Sequence, residues 1–368
     1  MAVADTLVSV ASRALQRPLA RERSTTSFLP ATLSRRVSWL LLAIFVLAAP
    51  GYSSRYQLTI FVAVFFAIMG SIAMNLILGV AGQASIGNSA FMAIGAFAAA
   101  KFALDLHFPF LLTVVASGLF AGLIGVLIGI PAMRVRGLYL VIATLALYYV
   151  SLYILNRYQS VKVGSGQFLM PNITFLDWPS IQVWYYIMLI AAALSVMVMH
   201  NLLRTRYGRA WLAVARDEIA AEVLGVNVRL QKVLAFGLTS LIIGVQGALF
   251  AYYLGVVSTD SYTFDLAVSY IAMVIIGGHA STGGSILGAI FVTAIPYVVT
   301  ALAAFLPEQT VTLLTTRLFD IETIVYGTSI VIFLVVEPRG LIYLWNRAFS
   351  YFKVWPLGQD VSAISADD

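Results

Sequence analysis

Cysteine is absent from the 368 residues, histidine occurs three times, and only 10% of the side chains are charged. Without thiols there are no disulfides, thiolate ligands or cysteine nucleophiles, and the redox compartment stays open. No G-x-x-x-x-G-K-[ST] string occurs, so the chain has no phosphate loop with which to cradle ATP. No His, Asp or Glu cluster has metal-ligand spacing, and no catalytic residue, metal or cofactor is assigned. The scarcity of charge speaks to the solvent, because soluble domains carry about 25% charged residues. Hydrophobic residues make up 61% of the chain, and mean hydropathy is +0.94. Repeated apolar runs of about 20 residues suit a bilayer core roughly 30 Å thick. Backbone groups in hydrocarbon must pair within their own segment, which favours helices. The expected fold class is an all-α integral membrane protein, a bundle of about ten transmembrane helices with broken or re-entrant segments and a cytoplasmic coupling helix.

Ten candidate spans emerge: Val37 to Tyr52, Tyr56 to Gly79, Ala84 to Leu104, Phe108 to Ile130, Gly137 to Asn156, Val183 to Leu203, Lys232 to Val257, Leu266 to Ile276, Gly283 to Ala304 and Phe319 to Val336. Gly82, Gly87 and Gly95 interrupt the third, and the eighth is too short to cross alone unless it continues into the Gly-rich turn behind it. Residues 1–36 form a polar cytoplasmic arm, 37–346 the transmembrane permease domain with a cytoplasmic loop at 204–231, and 347–368 a cytoplasmic tail. Ser34, Arg35 and Arg36 before an apolar run resemble a twin-arginine signal. An uncleaved first span fits better, since basic residues flank a first helix for topological reasons.

The net charge of +6 does not point to nucleic acid, because the basic residues border the apolar runs instead of forming a stripe interleaved with aromatics. With ten spans and both termini cytoplasmic, only Arg55, Lys101, Arg157, Lys162 and Arg317 of the 22 Lys and Arg fall outside. That is the positive-inside bias. Ionisable groups such as Lys101, Asp105, His107, His200, Asp260 and Asp265 sit near span ends, which argues against proton or ion coupling through the membrane.

Two features carry candidate function. In Ala81 to Phe91 (AGQASIGNSAF), glycines break a helix beside Gln83, Ser85, Asn88 and Ser89. Unwound backbone at membrane depth is tolerated against protein or a watery cavity, so a translocation path and close packing through small residues are both open readings. A related string, GGHASTGGS from Gly277, matches it at Gly82 and Gly278, Ala84 and Ala280, Ser85 and Ser281, Gly87 and Gly283, and Ser89 and Ser285. Asn75, Gln83, Ser85, Asn88 and Ser89 are candidate path residues, joined by Gln246, His279 and Ser281. The second feature lies in the basic segment Asn201 to Lys232. Asp217 can cap a helix, Glu218 suits its positive end, and Gly225 suits a left-handed stop. Ala220 and Ala221 offer a smooth face to another protein's backbone, while a solvated connecting helix is the plain alternative.

Several strings in order resemble one family. NLILGVAGQASIG from Asn75, RGLYLVIATLAL from Arg136, RYGRAWLAVARDEIAAEVLGVNV from Arg206, IIGGHASTGGSILGA from Ile275 and EPRGL from Glu337 are similar to the LivM-type permeases of branched-chain amino acid ABC importers. Urea and short-chain amide permeases are close relatives. The resemblance implies a multi-pass subunit of a bacterial inner membrane that is not itself an enzyme. Its partners would be a sister permease, two ABC ATPase subunits, an extracytoplasmic substrate-binding protein and membrane lipid. It also implies that Asp217, Glu218, Ala220, Ala221 and Gly225 form the segment that docks on an ATPase. Asn88 stands where relatives commonly have His, and His279 with Ala280 departs from a common G-G-x-G-S string. These departures keep urea, an amide or another small organic acid as alternative cargo. An ion-coupled carrier and a non-transporting scaffold are the readings outside the family.

Overall fold

A computed structural model of the protein describes residues 46–132, 137–171 and 180–303, with 324, 327–328, 331, 340–345 and 347. The chain divides into two units at Gly51 and Tyr52. Of the first, residues 46–51 are described, and they are helical. The arm 1–36 lies outside the described residues, the expected last span is described at 324, 327–328 and 331, and the tail at Arg347 alone.

In the second unit, α1 (Arg55–Asn75) opens with a Ser54 capping box and unwinds into a π-helical turn, Leu76–Val80. After a break come α2 (Asn88–Leu104), α3 (Phe110–Ala132) and α4 (Leu138–Val163). Next are α5 (Ser180–Arg204), α6 (Arg206–Arg216), α7 (Glu218–Val223) and α8 (Val228–Leu254). A hairpin of α9 (Phe264–Gly277) and α10 (Thr282–Ala303) follows. The strands among the described residues are β1 (Phe168–Leu169) and β2 (Val256–Val257), an antiparallel two-residue pair. Among the described residues, six helical segments are long and apolar enough to cross a bilayer, and Asn88–Leu104 and Thr282–Val298 are shorter apolar helices. The protein is an all-α, multi-pass membrane protein.

Hydrophobicity alone does not pack helices in lipid, so small residues do it by letting backbones approach. Gly118, Gly122, Gly125 and Gly129 run along one face of α3 and meet α8. A Cβ added at Gly125 would lie 2.4 Å from Ser240 Cβ, and one at Gly247 of α8 would lie 2.0 Å from the Met92 carbonyl of α2. The central helices are α1 and α8, buried over 72% and 67% of their apolar windows. By contrast, α4 is peripheral, at 17%.

Two local expectations change. The third span starts at Asn88, since residues 81–87 are irregular. The eighth ends at Gly277 and turns back, because Gly277, Gly284 and Gly288 let α9 and α10 touch backbone to backbone.

Candidate functional site

Both Gly-rich strings are helix breaks. Gly82 has φ +66° and Gly278 φ +114°, a conformation that L side chains rarely adopt. Ala280, also at positive φ (57°), completes the second turn. Asn75, at the last turn of α1, clamps one break to the other. Its Oδ1 accepts from the Ala280 N–H at 2.9 Å, and its Nδ2 donates to the Ser281 carbonyl at 3.1 Å. One turn earlier, Ser71 Oγ donates to the Ser285 carbonyl at 3.1 Å. Gly340 of the EPRGL string closes on the same elbow, where its added Cβ would lie 2.6 Å from Gly278 Cα.

The candidate path residues separate by how their polar groups are used. Asn75 is fully buried and consumed by the clamp. Gln246, equally buried, donates to the Phe66 carbonyl at 2.9 Å and to Tyr270 Oη at 2.6 Å, tying α1, α8 and α9 together. Ser85 Oγ is spent on the Gly87 N–H. Asn88 Nδ2 and Ser89 Oγ, and the Oε1 of Gln246, are buried with no partner among the described residues. Such orphans cost about 1–3 kcal/mol each unless water or a ligand meets them. Ser281 is half-buried and its Oγ accepts from the Gly284 N–H. His279 is exposed at the elbow, yet desolvation by the surrounding protein holds its imidazole below the usual pKa of 6.5.

The first break rests on the basic corner. An added Cβ at Gly82 would lie 2.9 Å from Ala215 Cα, at the end of α6. Gln83 Nε2 reaches the Lys232 carbonyl at 3.5 Å, the long limit of a hydrogen bond. Lys232, almost fully buried, extends its ammonium to the Glu218 carboxylate. Trp211 of α6 is buried and donates its indole N–H to the Gln231 carbonyl at 2.9 Å.

Within this corner α7 is sharply punctuated. Asp217 Oδ1 accepts from Ile219 N at 2.9 Å and Ala220 N at 3.1 Å. At the other end Gly225 has φ +84°, with Val226 N bonded to Ala221 O and Gly225 N to Glu222 O, a Schellman closure. The two alanines do not share a face. Ala221 is buried against the protein, and Ala220 is exposed, since successive helical residues point about 100° apart. Large aliphatic side chains are exposed on α7 and its C-cap, with Ile219, Val223 and Leu224 at 67%, 83% and 81%, beside the exposed Glu222.

Sequence reasoning passed over α4. Leu140, Thr144, Tyr148 and Ser151 form its buried stripe. Thr144 Oγ1 accepts from the Ile86 N–H of the first break, and Tyr148 Oη donates to the Tyr262 carbonyl. A helical period of polar residues inside an apolar run was the available signal. A separate trough of about 470 Å³ lies between α3, α6 and α8. Leu119, Leu123, Val126, Leu234 and Leu238 line it, and it offers a polar cargo little to bind.

Residues 56–336 match the family described as branched-chain amino acid transport system, permease component. The high-affinity branched-chain amino acid transport system permease protein LivM of Escherichia coli K12 is 31% identical over 288 residues, covering 70% of this chain and 67% of that protein. LivM of Salmonella typhimurium is 30% identical over the same shares. The probable ABC transporter permease protein YphD of Escherichia coli K12 is 33% identical over 131 residues, 33% of this chain and 38% of its own length. No solved structure matches. A chain matched over most of its length by this family belongs to the branched-chain amino acid transport permeases.

Proposed function

We propose that this permease is one half of the membrane pore of an ATP-driven importer, with a branched-chain or related small amino acid as cargo. ATP hydrolysis resides on separate ATPase subunits, which supply the energy this chain has no phosphate loop to capture. A sister permease, two ATPases and an extracytoplasmic binding protein complete the assembly. The protein sits in a bacterial inner membrane with both termini and the α6–α7 corner cytoplasmic.

The observation that carries this reading is the exposed aliphatic face of α7, Ile219, Val223 and Leu224, on a helix capped at both ends. In water such a face is a docking surface, and its two stops hold it as a rigid knob for an ATPase groove. Asp217 and Gly225 set the knob's ends, Glu218 anchors it to Lys232, and Ala221 seats it on the permease while Ala220 lies at the contact. Movement of α7 reaches the first break through Glu218, Lys232 and Gln83, and through Ala215 against Gly82. A two-state bundle biased at this corner alternates between outward and inward openings.

In this reading Gln83, Ser85, Asn88 and Ser89 border the cytoplasmic mouth of the path, where the unspent groups of Asn88 and Ser89 meet water or cargo. Asn75, Gln246, His279 and Ser281 belong to the frame around that mouth. The experiment is Ile219→Asp with Val223→Asp, assayed by co-purification of the ATPases and ATP-driven uptake in vesicles. Loss of ATPase subunits with normal membrane insertion is expected. Wild-type retention and flux would remove α7 as the docking site. Competition of uptake by leucine, urea and short amides decides the cargo class.

A further inference from the structure

The exposed faces of α3 and α4 differ in chemistry. On α3 the exposed large side chains are Leu111, Leu119, Leu123 and similar aliphatics, apart from Phe120. Such a surface suits lipid. On α4, Tyr149 and Tyr153 are 60% and 74% exposed beside Ile142, Val150 and Ile154. The span is Tyr139–Val163, so Tyr149 lies close to its centre. Whether the core is centred on the whole helix or on the uncharged stretch before Arg157, Tyr149 stays within about 4 Å of the midplane at 1.5 Å per residue. The headgroups then lie about 11 Å away, beyond the reach of a phenol. Tyrosines that face lipid gather at the interfaces, where the hydroxyl finds water. Neither hydroxyl has a partner among the described residues, and a bare hydroxyl in hydrocarbon is unfavourable.

From this contrast we infer that the outer face of α4 lines the water-filled cargo path at mid-membrane, with Tyr149 as its central contact and Tyr153 beside it. The helix is placed for this role. Its opposite face holds Thr144 against Ile86 of the first break, which ties the helix to the bundle and leaves the tyrosine face outward. Ala143 and Ala146 keep the surface low beside Tyr149. Phenol hydroxyls next to Ile142, Val150 and Ile154 suit a small zwitterion with an aliphatic side chain. The inference rests on the permease reading and adds the residues that cargo meets after leaving the binding protein.

The cysteine-free chain gives a direct test. Tyr149→Cys, Tyr153→Cys and the control Leu119→Cys, at the apolar trough of α3, are purified with the partner subunits and reconstituted without nucleotide. They are treated with a charged, membrane-impermeant methanethiosulfonate, and modification of this subunit is followed by intact mass. A thiol reacts as thiolate, in water, so both α4 cysteines should be modified about tenfold or more faster than Leu119→Cys. Saturating cargo-loaded binding protein with ATP should slow that reaction. Modification rates equal to that of Leu119→Cys overturn the inference, because the face is then covered by lipid or by a second permease subunit. If Tyr149→Cys does not assemble, Tyr153→Cys decides in the same way. Labelling needs no transport, so failure of the permease reading shows separately, as wild-type vesicles without ATP-driven uptake.

Discussion

The two helix breaks share a string of Gly, Ala and Ser but are built for different work. The second is a tight elbow. Its glycines bring α9 and α10 into backbone contact, and its turn amides and carbonyls are held by Asn75 and Ser281. The first is a seven-residue irregular stretch whose glycine at 87 has ordinary space around it, and the two helical residues after it, Asn88 and Ser89, keep unpartnered polar atoms. It also leans on the corner that carries α7. Segments that leave polar groups unsatisfied open more readily than fully satisfied ones. We expect the elbow to act as the fixed frame and the first break, with its unpartnered Asn88 and Ser89 groups, to be the moving part.

The largest expected effect comes from giving the elbow a side chain. A Cβ at Gly277 would lie 2.0 Å from the Gly284 carbonyl oxygen, and one at Gly288 would lie 1.9 Å from that of Met273. Backbone must shift, and overpacking of this kind costs about 1–3 kcal/mol or more. Gly277→Ala and Gly288→Ala should each abolish or sharply lower the yield of monodisperse protein. Gly87→Ala meets nothing closer than 3.6 Å at a φ of −73° and should melt like wild type. Equal melting of all three by light scattering would dissolve the distinction between the breaks.

Asn75→Leu comes next. It strips the Ala280 N–H of its acceptor, while the Ser281 carbonyl keeps the Ser285 N–H and Oγ, so the cost is about 1–3 kcal/mol for the one group left unpaired. Thermal stability should drop clearly, with Asn75→Gln failing to restore it because the amide is displaced. Ser89→Ala is its counterpart in the first break. It removes a hydroxyl with no partner among the described residues, so stability should hold or rise while ATP-driven uptake falls. An unstable Ser89→Ala with normal uptake per assembled complex would take Ser89 out of the path.

Helix content and membrane class were legible in hydropathy, and the ends of α7 in Asp217 and Gly225, because caps are local chemistry. The paired breaks were visible as a repeated string. What could not be read was the division of labour among polar residues. Asn75 and Gln83 look alike in sequence, yet one clamps the elbow and the other touches α8, and only tertiary partners distinguish them. Ala220 and Ala221 lie on different faces, as neighbours in a helix must, so only Ala220 is open to a partner. The role of α4 was missed because its phenols are unusual only once their depth and exposure are known.

Gly225→Val tests the corner at smaller scale. No atom lies within 4 Å of its added Cβ, so the penalty is backbone strain alone, about 1–2 kcal/mol for a left-handed L residue. Insertion should be normal and melting slightly lower, with weaker ATPase retention. Gly225→Asn should recover most of the loss, since Asn tolerates this conformation. If Val and Asn behave alike, the left-handed stop is not what positions α7.

The smallest effect concerns His279 on the elbow. Its imidazole is held below the usual pKa of 6.5 by desolvation, so the unfolded chain binds a proton more readily than the folded one. Stability must then rise with pH across the window between the depressed folded value and 6.5. Read downward, the folded protein begins to lose stability as pH falls through 6.5 and has lost all of this contribution below the folded pKa. The side chain is partly open to water, which keeps the effect small. Melting of the wild type between pH 7.5 and 5.5 should show a modest decline that His279→Gln reduces, with the two proteins converging at the alkaline end. If the fixed elbow tolerates the charge, the two curves will run parallel, and His279 then belongs with the movable surfaces of the first break.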